Sequence, residues 1–394
     1  MRIGVDATCW QNRRGYGRHT RSLLTALVRL DEGNRYTFFF DSAEGAGAIP
    51  PEVEIRMVRA SRPAAEAASA AGRRPLRDLW RMSRAISGAG VDLVLFPTIY
   101  TFVPVFGGAR KIVFIHDVIP EQYPRLALGG PAARLAWKLK AALGRLQADA
   151  IVTVSEYSRD QLVQRSSIAR ERVFVVGEAA DPVFRQIPNA RPAGRLEALG
   201  VSGRQRIVVC LGGFGPHKNV PALVDVFSRL ASEPSLEDAV LLLAGEHERE
   251  VFRTQVREIR DQVARLGLGA RIRFTGYLPD EDLAVLLNVA SVLVLPSLME
   301  GFGLPAVEAA ACGCPVIATE ASPLEDLLGD GGIYINPNRP RELEDALRRV
   351  LVSDDLRRRM GDAALAAARK LTWNAAATQL RAVIRQVMAG RTGP

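Results

Sequence analysis

The feature that most constrains this fold is an alternation of short apolar runs with amphipathic stretches of helical length. Five runs in the first part of the chain are typical of buried strands. They are "RIGVD" (2–6), "YTFFF" (36–40), "VDLVLFP" (91–97), "KIVFIHD" (111–117) and "AIVTVS" (150–155). Parallel strands need a long crossover connection, which is usually a helix. The alternation therefore predicts a parallel sheet covered by helices on both faces.

The alternation stops at residues 185–206, which are rich in Pro, Gly and Arg and are typical of a linker. Six further apolar runs follow it: "IVVCLGG" (207–213), "AVLLLAG" (239–245), "RIRFTG" (271–276), "SVLVLP" (291–296), "CPVIAT" (314–319) and "GIYIN" (332–336). The sequence thus predicts an α/β protein with two doubly wound, Rossmann-like domains, residues 1–187 and 206–373, joined by a linker at 188–205.

Composition excludes several classes of protein. A hydrophobic content of 48% with 24% charged residues is typical of a folded soluble protein. No apolar run approaches the roughly 20 residues of a membrane helix, and "MRIGVDATCW" lacks the apolar core of a signal peptide. Four cysteines make no disulfide framework, and Cys312 and Cys314 are too close for a zinc half-site. We expect buried thiols, no metal and a cytoplasmic location.

The net charge of +9 includes two basic clusters, at residues 73–84 and 134–145. Each interleaves apolar and basic residues at helical spacing, and each contains one tryptophan, Trp80 or Trp137. Such a helix either packs on the sheet with a solvated basic face or meets anionic lipid or an anionic substrate. Nucleic acid is not expected as a partner, because no aromatic-studded basic patch or reader motif is present.

Two carboxylates bracket the loop in "PSLMEGFGLPAVEAAACGCP" (296–315). A predicted strand precedes the loop, so Glu300 lies in it and Glu308 about one turn into the next helix, near whose start Pro305 lies. Ligands of doubly wound sheets bind where such loops lead into helices. The free N–H groups there suit phosphates, and the carboxylates suit hydroxyls. The alternative is a solvated Glu300, with Glu308 complementing the helix dipole.

Gly15 and Gly17 lie between the first strand and a predicted helix, where backbone can approach a phosphate or sugar closely. An ordinary turn is the alternative. A G-x-G-x-x-G dinucleotide site is disfavoured, because Thr20 stands at the third glycine position.

Two further side chains are candidates for ligand contact. Lys218, after the first strand of the second domain, could neutralise a diphosphate, although Asn219 excludes a Walker loop and a solvated lysine is the alternative. His116 ends a strand on the side where ligands bind, and its alternative role is structural. His19 and His247 we expect at the surface.

Six motifs together resemble a known family. The Glu-x7-Glu of "EGFGLPAVE" (300–308) resembles the signature of glycosyltransferase family 4, retaining enzymes of the GT-B fold. In chain order, "NRRGYGRHT" (12–20), "FIHDVIPEQYP" (114–124), "VSEYSRD" (154–160), "GGFGPHKN" (212–219) and "LTWNAAA" (371–377) resemble other segments of that family. Each motif alone is unspecific, but their occurrence in this order along nearly the whole chain makes the resemblance specific.

The resemblance implies two Rossmann-like domains that face each other across a cleft. Residues 1–187 would bind the acceptor, residues 206–373 the sugar-nucleotide donor, and the C-terminal helix, 374–394, would pack back on the first domain. It also implies transfer with retention of anomeric configuration, without a metal or other cofactor.

The resemblance further assigns roles to residues. Glu308 would hold the nucleotide ribose, Glu300 a hydroxyl of the donor sugar, and His116 the transferred sugar. Lys218 would meet the leaving diphosphate. The remaining donor-binding candidates are Gly15, Gly17, His217, Gly301, Phe302, Gly303 and Leu304. His217 and Gly213 stand where family members often carry arginine, so the identity of a second cation stays open.

The segments "HDVIPEQYP" (116–124) and "GGIYINP" (331–337) are similar to those of bacterial mannosyl- or rhamnosyltransferases of surface-polysaccharide assembly. This favours transfer of a mannose-like hexosyl group from a nucleoside-diphosphate sugar, such as GDP-mannose, to a hydroxyl acceptor. A lipid-linked acceptor would bring the protein to the inner face of a membrane. The alternatives are a sugar-nucleotide epimerase and a catalytically weak sugar-nucleotide-binding protein.

Overall fold

The structure is a computed structural model, and it describes residues 1–12, 15–42, 49–61, 75–166, 168–203, 205–245 and 254–390. The chain divides into two compact units. The first comprises Met1–Glu178 with Thr372–Pro394, and the second Ala179–Leu371. The segment predicted as a linker lies in the second unit and includes a four-residue helix, Arg195–Ala198.

The described part of the first unit contains a seven-stranded sheet in the order β3-β2-β1-β4-β5-β6-β7, in which every strand pair is parallel. Its strands are β1 (Arg2–Asp6), β2 (Arg35–Phe40), β3 (Glu54–Met57), β4 (Leu93–Phe96), β5 (Arg110–Phe114), β6 (Ala150–Thr153) and β7 (Val173–Val175). The five predicted strands are confirmed. Two strands were missed, because β3 is exposed along its length and β7 has three residues.

The helices described in the first unit are α1 (Gly15–Leu30), α2 (Leu76–Ser87), α3 (Ile119–Gln122), α4 (Pro124–Ala127), α5 (Pro131–Gln147) and α6 (Glu156–Ser166), with the C-terminal helix Trp373–Met388. The C-terminal helix packs along α1, where the Arg381 guanidinium donates a 3.0 Å hydrogen bond to the Leu30 carbonyl. Its Gln379 accepts a 3.1 Å bond from the backbone N–H of Gly177.

The described part of the second unit contains a six-stranded parallel sheet in the order β10-β9-β8-β11-β12-β13. All six predicted strands are confirmed: β8 (Arg206–Leu211), β9 (Ala239–Ala244), β10 (Ile272–Gly276), β11 (Val292–Leu295), β12 (Val316–Thr319) and β13 (Gly332–Ile335). Every residue of β9 is buried, as expected for a strand with helices on both faces.

The second unit's described helices follow the numbering of the first: α7 (Arg195–Ala198), α8 (Val220–Leu230), α9 (Val256–Arg265), α10 (Asp280–Val289), α11 (Leu304–Ala311), α12 (Leu324–Leu328), α13 (Pro340–Val352) and α14 (Asp354–Ala368), so that Trp373–Met388 is α15.

The cysteine prediction is confirmed, because all four thiols are free and buried. Within the ranges given above, no helix combines the length and the apolar character that a bilayer-spanning segment needs.

Candidate functional site

The strand order of the second sheet reverses between β8 and β11. These two strands are neighbours in the sheet but distant in the chain, so the connections that follow them diverge. Such a switch point leaves a crevice beyond the carboxyl ends of the strands, where α/β sheets bind ligands. A small pocket lies here, lined by Cys210, Leu211, Gly212, Gly213, Phe214, Lys218, Val220, Leu295, Pro296 and Ser297.

Lys218 and Glu300 form an ion pair at this switch point. The Lys218 Nζ lies 2.7 Å from Glu300 Oε1, and the Ser297 hydroxyl donates a 2.6 Å hydrogen bond to the same oxygen. Glu300 is only 7% exposed, which excludes a solvated loop residue. Burial raises the pKa of Glu300, but the Lys218 charge and the two hydrogen bonds outweigh burial and lower it. The carboxylate is therefore ionised, with Lys218 held against it.

The backbone ties the loops of this pair together. The N–H of Leu298 donates to the carbonyl of His217 at 2.8 Å, and the N–H of Glu300 donates to the carbonyl of Ala321 at 3.0 Å. Gly303 has φ 83°, and a Cβ there would lie 2.8 Å from Leu324. Only glycine fits such a left-handed position with so close a neighbour. The loop is thus fixed in place, and Gly301, Phe302 and Leu304 are buried in it.

Glu308 lies in α11, one turn after Pro305, as predicted. Its side chain is 1% exposed, so the carboxylate is not solvated. The pKa of the Cys312 thiol rises to about 12, first because the thiol is buried and then because Glu308 is charged and near. A buried carboxylate needs compensation from its surroundings or from a ligand.

His217 does not supply the missing cation. Burial, and after it the charge of Lys218, lower the pKa of His217 to about 4, so the imidazole is neutral at physiological pH. Its Nδ1 is buried and has no hydrogen-bond partner within the described part of the chain. Of the two side chains His217 and Lys218, only Lys218 carries the positive charge at this edge of the sheet.

In the first unit, His116 follows β5 at the carboxyl edge of the sheet. Its Nε2 lies 2.9 Å from the carbonyl oxygen of Pro97, the residue after β4, and its Nδ1 lies 3.5 Å from Glu178 Oε1. The Ser158 hydroxyl donates a 3.0 Å hydrogen bond to the His116 carbonyl. Glu178 is 6% exposed. We missed it in the sequence because "VVGEAADP" carries no motif that singles out its glutamate.

The prediction that His19 lies at the surface is wrong. The side chain is fully buried in α1, and its ring contacts Phe114, His116 and Trp373. The helix rests on the sheet with this face inward, which the sequence pattern did not reveal. Burial, and then neighbouring His116, keep the pKa of His19 well below its usual value. The other histidine predicted at the surface, His247, lies outside the described residues.

The predicted position of Gly15 and Gly17 before a helix is also wrong, because α1 begins at Gly15 and contains both glycines. A Cβ on Gly17 would lie 1.9 Å from the Asn12 carbonyl oxygen, so this glycine is required by close backbone packing. Around Gly15 there is open space. The first turn of α1 is therefore the element that offers backbone N–H groups here.

Comparisons with known proteins agree with this architecture. Residues 13–183 match the sequence profile "Glycosyltransferase Family 4", and residues 196–366 match "Glycosyl transferases group 1". A "Serotype-specific mannosyltransferase WbdA" of Escherichia coli is 28% identical over 67% of this chain. The match covers 32% of that protein, so the chain spans about a third of the relative's length.

Two solved structures share the fold. A sucrose-phosphate synthase from Thermosynechococcus elongatus has a TM-score of 0.79 and 20% identity, over 99% of this chain and 100% of its own. Anabaena Alr3699/HepE, in complex with UDP and glucose, has a TM-score of 0.74 and 18% identity, over 98% and 99% of the two chains. The fold is GT-B, and with both of its halves matched by family profiles the chain belongs to glycosyltransferase family 4.

Proposed function

We propose that the protein transfers a hexosyl group from a nucleoside-diphosphate sugar to a hydroxyl acceptor, with retention of anomeric configuration. The observation that carries this proposal is the Lys218–Glu300 pair at the β8/β11 switch point, 2.7 Å apart, with the buried Glu308 in the following helix. A cation, two carboxylates and a helix N-terminus match the phosphates and hydroxyls of such a donor.

Breaking the glycosyl–phosphate bond places negative charge on the leaving diphosphate and positive charge on the sugar. Lys218 stabilises the diphosphate, and its 23% exposed side chain is held in position by Glu300 before any ligand arrives. A charge that is already oriented needs no reorganisation in the transition state. Backbone N–H groups at the start of α11 add a second source of positive potential.

The two carboxylates then bind hydroxyls. Glu308 accepts hydrogen bonds from the ribose diol, and Glu300 accepts one from a hydroxyl of the donor sugar while it pairs with Lys218. His116 is the residue to which we assign contact with the transferred sugar. The first turn of α1, which contains Gly15 and Gly17, supplies backbone donors, and His217, Gly301, Phe302, Gly303 and Leu304 form the surroundings of the donor.

The donor that we favour is GDP-mannose, because one relative is a mannosyltransferase. A UDP-sugar is the competing donor, since a solved neighbour holds UDP and glucose. A thermal-shift series with GDP, UDP, ADP and dTDP separates these bases, because a ligand that binds only the folded state raises its stability.

Incubation with the matching sugar nucleotides tests the reaction itself, with alkyl mannosides and short mannose oligosaccharides as acceptors. Acceptor-dependent release of the nucleoside diphosphate, with a new glycosidic bond of retained configuration, supports the proposal. Isomerised donor without an acceptor would indicate an epimerase, and binding without turnover would indicate a binding protein.

A lipid-linked acceptor is our second proposal, and it rests on the surface of the first unit. Helix α5 exposes four leucines, which we call the leucine face: Leu135, Leu139, Leu143 and Leu146, between 39% and 80% exposed. Lys138 is exposed on the same helix. An apolar helix face with an adjacent lysine suits an anionic bilayer surface.

The two tryptophans of the basic clusters differ in position. Trp80 of α2 is 58% exposed, whereas Trp137 is buried beside Tyr100, so only Trp80 of the two is available to a bilayer surface. The segment 104–106 is tied to both helices, since the N–H of Val105 donates to Gln147 and that of Phe106 to Ser87. Phe106 is exposed, and it joins Trp80 and the leucine face in the surface that we propose for the bilayer.

A further inference from the structure

The two ring nitrogens of His116 face different groups. Nε2 lies 2.9 Å from the Pro97 carbonyl oxygen, and a carbonyl oxygen can only accept a hydrogen bond. Nε2 therefore carries a proton. Nδ1 lies 3.5 Å from Glu178 Oε1. In a neutral ring Nδ1 would present its lone pair to a carboxylate oxygen, which is repulsive, whereas a proton on Nδ1 makes the contact attractive.

We propose that Glu178 is a positioning residue that holds His116 as a doubly protonated imidazolium, with its ring fixed between Pro97 and Glu178. The ion pair is buried, because Glu178 is 6% exposed and the His116 side chain 13%. A carboxylate in such a site requires a cationic partner. For the part of the chain that the structure describes, His116 is the cation whose contact with Glu178 is closest.

The other ionisable neighbours support this assignment of charge. His19 contacts the His116 ring edge-on with centroids 4.6 Å apart, and its Nε2 lies 3.9 Å from Glu178 Oε1. Burial and the neighbouring His116 keep His19 neutral by lowering its pKa. Burial also opposes charge on His116, but the hydrogen bond and charge of Glu178, the Pro97 carbonyl and the charge of Asp117 outweigh burial and raise its pKa. One histidine of the pair is charged, and Glu178 selects His116.

This assignment limits what His116 can do in the proposed transfer. An imidazolium with a proton on each nitrogen is a hydrogen-bond donor and a positive charge, and it has no free lone pair to accept a proton. Both N–H groups are already engaged, by the Pro97 carbonyl and by Glu178, so His116 presents a fixed positive charge to the sugar and does not deprotonate the acceptor. This consequence rests on the proposed function, but the protonation state does not.

The protonation state can be measured on the full chain without any sugar nucleotide. The chain has four histidines, so ring ¹⁵N spectra of histidine-labelled protein can be assigned with H116Q and H19Q variants. We expect both His116 nitrogens in the imidazolium range at pH 7, and a neutral His116 at the same pH in E178Q. E171Q, which changes an exposed glutamate of the same unit, should leave His116 charged.

A neutral His116 at pH 7 in the wild-type chain would overturn the proposal, and so would an unchanged His116 titration in folded E178Q. If E178Q does not fold, the wild-type spectrum alone still tests the protonation state of His116. E178D is a second variant, and it keeps the negative charge at this position. Added Zn²⁺ that shifts His19 and His116 together would assign the cluster to a metal ion, which also overturns the ion pair.

Kinetics provide a second measurement once turnover is established. In E178Q, kcat should fall about tenfold for each pH unit above the lowered His116 pKa, whereas the wild type should be flat over the same range. A donor that is not turned over at all would contradict the proposed function and leave the NMR result intact.

Discussion

Lys218 Nζ and Glu300 Oε1 are 2.7 Å apart, although 82 residues separate them in the chain. Each lies in the loop that follows one of two adjacent strands, so the strand order of the sheet creates the pair. On the proposed function the pair would couple stability to activity, because the charge that we propose for the diphosphate also compensates a buried carboxylate. Four predictions concern this edge of the sheet.

Removing Lys218 should destabilise the second unit as well as stop turnover. K218M leaves the buried Glu300 carboxylate without its cation, and an uncompensated buried group costs about 1–3 kcal/mol. The double variant K218M/E300Q should recover part of that loss, since it removes both charges. Urea unfolding of the single and double variants measures the coupling, and additive losses would show that the pair contributes nothing.

The catalytic effect that we propose for Lys218 can be separated from its structural effect. We expect K218M to lower kcat at least about 10²-fold at a temperature where it is fully folded, because one preorganised charge on a leaving group is worth a few kcal/mol. K370M, at a lysine far along the chain in an exposed position, serves as the matched control. Normal turnover by folded K218M would contradict the assignment of Lys218 to the diphosphate.

The two glutamates should differ in the ligands that they bind. E308A should abolish detectable binding of the free nucleoside diphosphate, because the ribose diol loses its acceptor and an apolar wall cannot replace it. E300A should spare the free nucleotide and weaken the intact sugar nucleotide. Calorimetric titration of both variants with both ligands decides this. Equal losses of affinity for the two ligands in both variants would contradict the assignment of Glu308 to the ribose and Glu300 to the donor sugar.

His217 should make the second unit sensitive to acid. Its pKa in the folded protein, about 4, lies below the usual value of 6.5, so the unfolded chain binds a proton that the folded chain refuses. The contribution of the neutral ring is complete above pH 6.5 and is lost as the pH falls toward 4. H217Q should flatten the loss of stability over this window. Urea midpoints measured from pH 7 to pH 4 provide the test, and parallel curves would contradict it.

Much of this fold can be predicted from the sequence because buried parallel strands are nearly continuous apolar runs. β9 is such a strand, and its limits agree closely with the run that predicted it. β3 could not be found in this way. All four of its residues are exposed, so it forms by pairing with β2 at the edge of the sheet and not by burial.

The candidate site could be predicted only where residues are close to the ends of recognisable strands. Lys218, Glu300 and Glu308 were found by that rule, but their mutual contacts depend on the strand order, which local pattern does not encode. Glu178 lies shortly after the short strand β7, and His19 lies on one face of α1. Their meeting with His116 is a tertiary contact that no spacing along the chain announces.

The last prediction concerns the leucine face of α5. Inserting an exposed leucine into the interfacial region of a bilayer contributes about 1.5–3 kcal/mol, and a basic residue near an anionic surface about 1 kcal/mol. We therefore expect the protein to sediment with phosphatidylglycerol-containing vesicles at low salt. L135S/L139S/L146S should lose most of that binding, and L266S, which changes an exposed leucine of the second unit, should not. Neither variant should change nucleotide affinity.

Salt should weaken the binding of the protein to vesicles only in part, because screening acts on Lys138 and not on the leucines. The reversal of Arg73, Arg74 and Arg77 to Glu tests the basic cluster separately, although Arg73 and Arg74 lie outside the described residues. If the wild type does not bind anionic vesicles at low ionic strength, the acceptor is better sought among water-soluble saccharides.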